Sequence, residues 1–202
     1  MFRRVLAVLV LAAAARAAEP PGSPGAREAL HLCYEADDAT TREEKRALLD
    51  RGLALAEKAV AADDRDALAH FAVFCNLGRR TELAGLSVGS LAALRRLRRE
   101  VDRTLELAPE FVKALQGKGA LLLDTPRLLG GDPAEAERLL RRALALEPDS
   151  IEVRLHLARA LEARGARSEA RARATEALTL AEQKARRDDV AEARKLLARL
   201  RD

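Results

Sequence analysis

A helix that opens at Pro133 and stops before Pro148 constrains this 202-residue chain more than any other stretch, because its pattern returns along the chain. Gly130 and Gly131 permit a tight turn, Asp132 can cap free backbone N–H groups, and Pro133 takes the first helical position, where no N–H is missed. Ala136, Leu139, Leu140, Ala143, Leu144 and Leu146 then recur at helical spacing, and Pro148 biases Glu147 away from helix. Setting the equivalent helices in register aligns Ala59, Thr104, Ala143 and Ala177, separated by 45, 39 and 34 residues. A helix–turn–helix unit returning after 34 residues cannot bury its apolar face alone, so successive pairs must stack.

Read in order, the chain predicts four helix pairs over residues 26–62, 67–108, 110–147 and 150–186, and an amphipathic end helix over 189–200. Thr40…Glu43 and Thr41…Glu44 both carry capping-box spacing at the start of the second helix, and Asp63, Asp64 and Asp66 break it from the third. The separations of 45 and 39 exceed 34 by 11 and 5 residues; both excesses are expected in the turns between first and second helices, near 84–90 and 124–132. These turns are apolar, with Leu83, Leu86 and Val88 in one and Leu128 and Leu129 in the other. They can form a pocket mouth or subunit contact, or fold down over the ends of the core.

Residues 1–17 read as an export signal: Arg3 and Arg4, an apolar run of 11 residues from Val5 to Ala15, and a small-x-small site at Ala15-Arg16-Ala17. A spanning helix needs roughly 20 apolar residues, so the only membrane contact expected is through an uncleaved signal. Residues 18–25, rich in Pro and Gly, read as a tether, which gives a periplasmic or secreted domain at 26–202. Removing the signal deletes three arginines and no acid, so the formal charge falls from +4 to +1. With acids and bases interleaved and few aromatics, the composition argues against nucleic acid as a partner. The crowded Arg95, Arg96, Arg98, Arg99 and Arg103 read as a solvated, internally paired face.

Catalytic patterns are missing from the sequence. His31, His70 and His156 join no His-Glu-x-x-His or Cys/His set, so no metal ligands are assigned. Ser87 and Ser90 fall outside Gly-x-Ser-x-Gly, and Gly117-x-Gly119 lies within a helix. No cofactor and no enzymatic activity are expected. Cys33 and Cys75 lie on neighbouring first helices; they can form one disulfide or remain two small buried thiols.

Gly165, Ala170 and Ala177, preceded by Leu157, Ala158 and Leu161, resemble the small and apolar anchor positions of a tetratricopeptide repeat, with Arg154 where that family usually has an aromatic. Ala136, Leu140, Ala143 and Pro148 resemble the second half of another unit. The resemblance implies an all-α, right-handed superhelical stack of about four helix pairs plus a C-terminal capping helix. It further implies a non-enzymatic module that binds a protein or peptide on the concave face of its first helices. On that face the candidate binding residues are Tyr34, Phe71, Phe74, Phe111 and Leu115, joined by the loop residues Leu86, Val88, Leu128 and Leu129.

The loop from Pro126 to Pro133 is also similar to that of T-component proteins associated with TRAP transporters, which implies a carrier of an apolar small molecule or lipid beside transporter components. The long gaps and the Ala69-His70-Phe71 region resemble regulator-of-microtubule-dynamics proteins, which share a similar irregular fold.

Overall fold

The computed structural model describes residues 19–84 and 91–201; the expected signal at 1–17 and the loop residues Leu86 and Val88 lie outside them. Among the described residues there are nine α-helices and no strand: α1 (Pro24–Asp38), α2 (Arg42–Ala62), α3 (Ala67–Leu83), α4 (Leu91–Leu107), α5 (Val112–Asp124), α6 (Pro133–Leu146), α7 (Ile151–Ala163), α8 (Arg167–Gln183) and α9 (Arg187–Arg199).

Local chemistry explains the boundaries. Thr41 Oγ1 accepts the Glu44 N–H at 3.1 Å, while the Glu44 carboxylate accepts the Thr40 N–H at 3.2 Å, so both threonines contribute to one cap. Asp66, Asp132 and Ser150 cap α3, α6 and α7 through their side chains. The first helix begins earlier than the sequence suggests. Ser23 accepts the Ala26 N–H and Pro24 fills the first turn, so the proline that reads as linker is a helix start. Nor is the segment before it a free tether: the Ser23 N–H donates to Asp66 Oδ2 at 2.8 Å, and Gly22 lies against Leu68 so closely that a Cβ would sit 2.6 Å from it.

The irregular repeat has a physical anatomy. The 5-residue excess lies wholly in the turn 125–132, which replaces the short turn 164–166 of the last pair. The 11-residue excess is divided, contrary to the expectation that it is all loop. Four residues of the excess fall in the connection between α3 and α4, α3 has 17 residues against 13 in α7, and α4 begins three residues further ahead of its aligned position. An extra helical turn at 80–83 therefore lengthens the first-helix layer.

In the turn 125–132, a single 3₁₀ turn at Arg127–Leu129 ends on Gly130 at φ 88°, a left-handed conformation that glycine adopts freely. Gly131 follows with its Cα so near the Thr125 carbonyl that a Cβ would lie 1.8 Å from the oxygen. The turn is held by Gly131 N–H to Pro126 C=O and Asp132 N–H to Leu122 C=O.

Within each pair the helices pack side by side, and α9 closes the stack on α8 and α7. Buried apolar residues divide into two clusters. One joins α1–α4 with Phe111 and Ala114; the other joins Val112 and Leu115 with α6–α9. Helix α5 belongs to both, and the α4–α5 contact is the slightest between consecutive helices. Ala170, Ala174, Ala177 and Ala181 form a fully buried alanine face on α8, which permits close packing.

Two polar devices and one covalent bond fasten the first four helices. The Asn76 Nδ2 donates to the Ala29 and Ala72 carbonyls, at 2.9 and 2.8 Å, in space left by the missing side chain of Gly52. Buried His70 meets Glu100 on α4 through Nδ1 at 2.7 Å and the Asp64 carbonyl through Nε2 at 3.0 Å. Of the two cysteine alternatives, the disulfide is the one observed: Cys33 and Cys75 are bridged between α1 and α3, with Cα atoms 6.2 Å apart.

Candidate functional site

The first helices border a groove of about 820 Å³ that is open to solvent. One wall is α3, lengthened by its extra turn, and the other is α5, with Tyr34 of α1 and His156 and Arg159 of α7 at the margins. Phe71, Phe74, Leu97 and Leu121 give it an apolar floor. The rings of Phe71 and Phe74 are 6.0 Å apart by centroid, and Phe71 meets Phe111 edge to face at 4.7 Å. Gly117 makes room for this arrangement: a Cβ there would approach the Phe74 ring to 2.6 Å.

Charged groups occupy the rim. Lys113 of α5 places its Nζ 5.2 Å from the Tyr34 ring centroid, a cation–π contact reaching from α5 to α1. The Tyr34 hydroxyl is buried and has no hydrogen-bond partner, although a buried phenol ordinarily finds one. Burial, reinforced by Glu19 and opposed by Arg79, pushes its pKa up to about 12, so it remains a donor. Arg79 is ion-paired with Asp37, and burial lowers its pKa below the usual guanidinium value.

Arg159 bridges to Asp124 and lies 3.4 Å from His156 Nδ1. Burial first, and then the Arg159 cation, hold the His156 pKa down at about 4, so the imidazole is neutral near pH 7. The arrangement supplies an apolar floor, hydrogen-bond donors and acceptors and fixed charges. Among the described residues no cluster of three His, Cys, Asp or Glu is placed to hold a metal ion.

The structure brings only some of the candidate residues to this groove. Tyr34, Phe71 and Phe74 line it. Phe111 and Leu115 do not; they are 4 % and 1 % exposed and belong to the core. Phe111 precedes α5 and turns its ring onto Phe71, while Leu115 faces the C-terminal cluster, so neither is a surface residue. Leu128 and Leu129 are also absent from the groove wall. Leu128 is 99 % exposed, so it neither forms the pocket mouth nor covers the core.

Gln116, Gly117, His156 and Arg159 were not legible as wall residues. Their signal was positional: each lies on a first helix and off its apolar stripe. The arginines of α4 are only partly paired, with Arg96 and Arg103 bound to Glu57, Glu100, Asp64 and Glu106.

The comparisons agree with this geometry. The tetratricopeptide repeat family model matches residues 127–200. The solved structure of a thermophilic TPR protein of Thermus thermophilus superposes with a TM-score of 0.60 at 18 % identity, covering 86 % of this chain and 99 % of that one. No curated protein matches in sequence. Paired helices stacked around small buried residues define an all-α helical repeat protein. Its C-terminal part, residues 127–200, is similar to the tetratricopeptide repeat family, and the chain shares the fold of the solved TPR protein.

Proposed function

We propose that this chain is an exported, non-enzymatic binding module that holds a segment of a protein partner in the groove between α3 and α5. The observation that carries this reading is the groove itself: an apolar Phe71–Phe74 floor beside a buried Tyr34 hydroxyl that lacks a partner. An apolar anchor would cover the floor, and a backbone carbonyl would accept from Tyr34. The open side and charged rim suit a peptide, whereas an enclosed apolar cavity would suit a carrier. Export is supported by the basic-apolar-small pattern of residues 1–17 and by the Cys33–Cys75 bridge, since disulfides persist in oxidising compartments.

Photo-crosslinking from position 116, followed by native mass spectrometry, tests the reading. Gln116 lines the groove and is half-buried, so a crosslinker there should capture a protein segment, and Phe74→Ala should reduce capture about tenfold. A stoichiometric apolar small molecule released from the native chain would instead support the second reading, a carrier beside a TRAP-type transporter.

A further inference from the structure

We infer that the edge formed by the start of α4 and the 3₁₀ turn is a docking surface for an anionic lipid membrane. Among the described residues the exposed large hydrophobic side chains are Leu91, Leu128 and Leu129, at 50 %, 99 % and 36 % exposure. Leu91 opens α4, and Leu128 and Leu129 lie in the 3₁₀ turn. Arg98 of α4 makes the connection by donating through Nη2 to the Leu129 carbonyl at 2.7 Å, and its guanidinium lies directly against Gly130.

The same edge is basic without compensation. Along α4, Leu91, Arg95, Arg98 and Arg99 fall on one helical stripe. No Asp or Glu occurs between residues 84 and 99 or between 125 and 131. Arg95, Arg99 and Arg127 are exposed, and none has a carboxylate within ion-pairing distance among the described residues. By contrast, Arg96 and Arg103, on the adjoining stripe, are paired with acids. Asp102, the next acid along the exposed stripe, is held by Lys118 at 2.7 Å.

Shape selects the occupant. Leu128 stands exposed on the turn and does not line the groove, so a rigid protein partner would have to supply a matching pocket. A bilayer surface needs none: leucine enters the headgroup–acyl boundary while arginines meet lipid phosphates. This combination of projecting leucines and unpaired arginines matches an anionic surface in both chemistry and form.

Vesicle co-sedimentation of the full chain tests the inference, using phosphatidylcholine with and without 30 % phosphatidylglycerol at low and high salt. Binding should be at least tenfold stronger to the anionic vesicles and fall with salt. The triple variant Arg95→Gln, Arg99→Gln, Arg127→Gln should lose about tenfold, and Leu128→Ser severalfold, with unchanged circular dichroism because all four side chains are exposed. Equal binding to neutral vesicles, or binding insensitive to these variants, assigns lipid attachment to the N-terminal segment and overturns the inference. Failure to bind vesicles, with saturable binding of an acidic peptide through the same arginines, overturns it in favour of an acidic protein partner.

Discussion

At the scale of single residues, the missing side chain of Gly52 matters as much as any side chain present. An added methyl would lie 2.2 Å from Asn76 Oδ1, and Asn76 cannot retreat without losing its bonds to Ala29 and Ala72. Gly52→Ala should therefore destabilise the fold by about 1–3 kcal/mol, read as a lower urea midpoint with an unchanged slope. The two histidines respond to pH with opposite signs. The hydrogen bond that His70 donates to Glu100 leads the causes that raise its pKa above 6.5, so its stabilisation is complete below that value and lost as pH rises through the folded pKa. His156, held at about 4, contributes stability above pH 6.5 that is lost as pH falls toward 4. Thermal melts across pH 4–9 should show the deficit of His70→Gln shrinking at high pH and that of His156→Gln shrinking at low pH. Such contacts were not legible in the sequence: spacing places His70 on a helix, but only packing brings Glu100, 30 residues away, to its ring.

At the scale of helices, much more was legible, because caps and stops are local. Thr41, Asp66, Asp132 and Ser150 cap helices at starts that their side-chain chemistry permits anyone to read. The misread boundaries differ in cause. Pro24 marks a helix start rather than a tether, and Arg187 opens α9 two residues early, where no side-chain cap announces the helix. The extra turn of α3 was hidden because a spacing of 45 residues gives total length without apportioning it between helix and loop. The α1–α3 bridge closes 42 residues of chain and should contribute about 4 kcal/mol through loop-closure entropy. Reduction should lower the urea midpoint, and hydrogen exchange should place the lost protection in α1–α3 while α7–α8 keeps its own.

At the scale of the whole molecule, the groove was only partly legible because a first helix has both a core face and an open face. Aromatic identity alone did not separate Phe74, on the groove, from Phe111, in the core. Filling the groove should protect both walls together: on partner binding, amides of α3 and α5 should slow in hydrogen exchange, with little change in α8. The α3 wall lies in the N-terminal apolar cluster, whereas the α5 wall is shared between the two clusters, which meet at the slight α4–α5 junction. Mechanically the molecule is a caliper. One jaw is cross-linked by Cys33–Cys75, and the pivot lies near residues 108–111. A thick occupant should force the jaws apart, and a small rotation at the pivot should become a larger displacement at their far ends, so the distance between α1 and α9, read with a spin label on each, should lengthen with the thickness of what the groove holds.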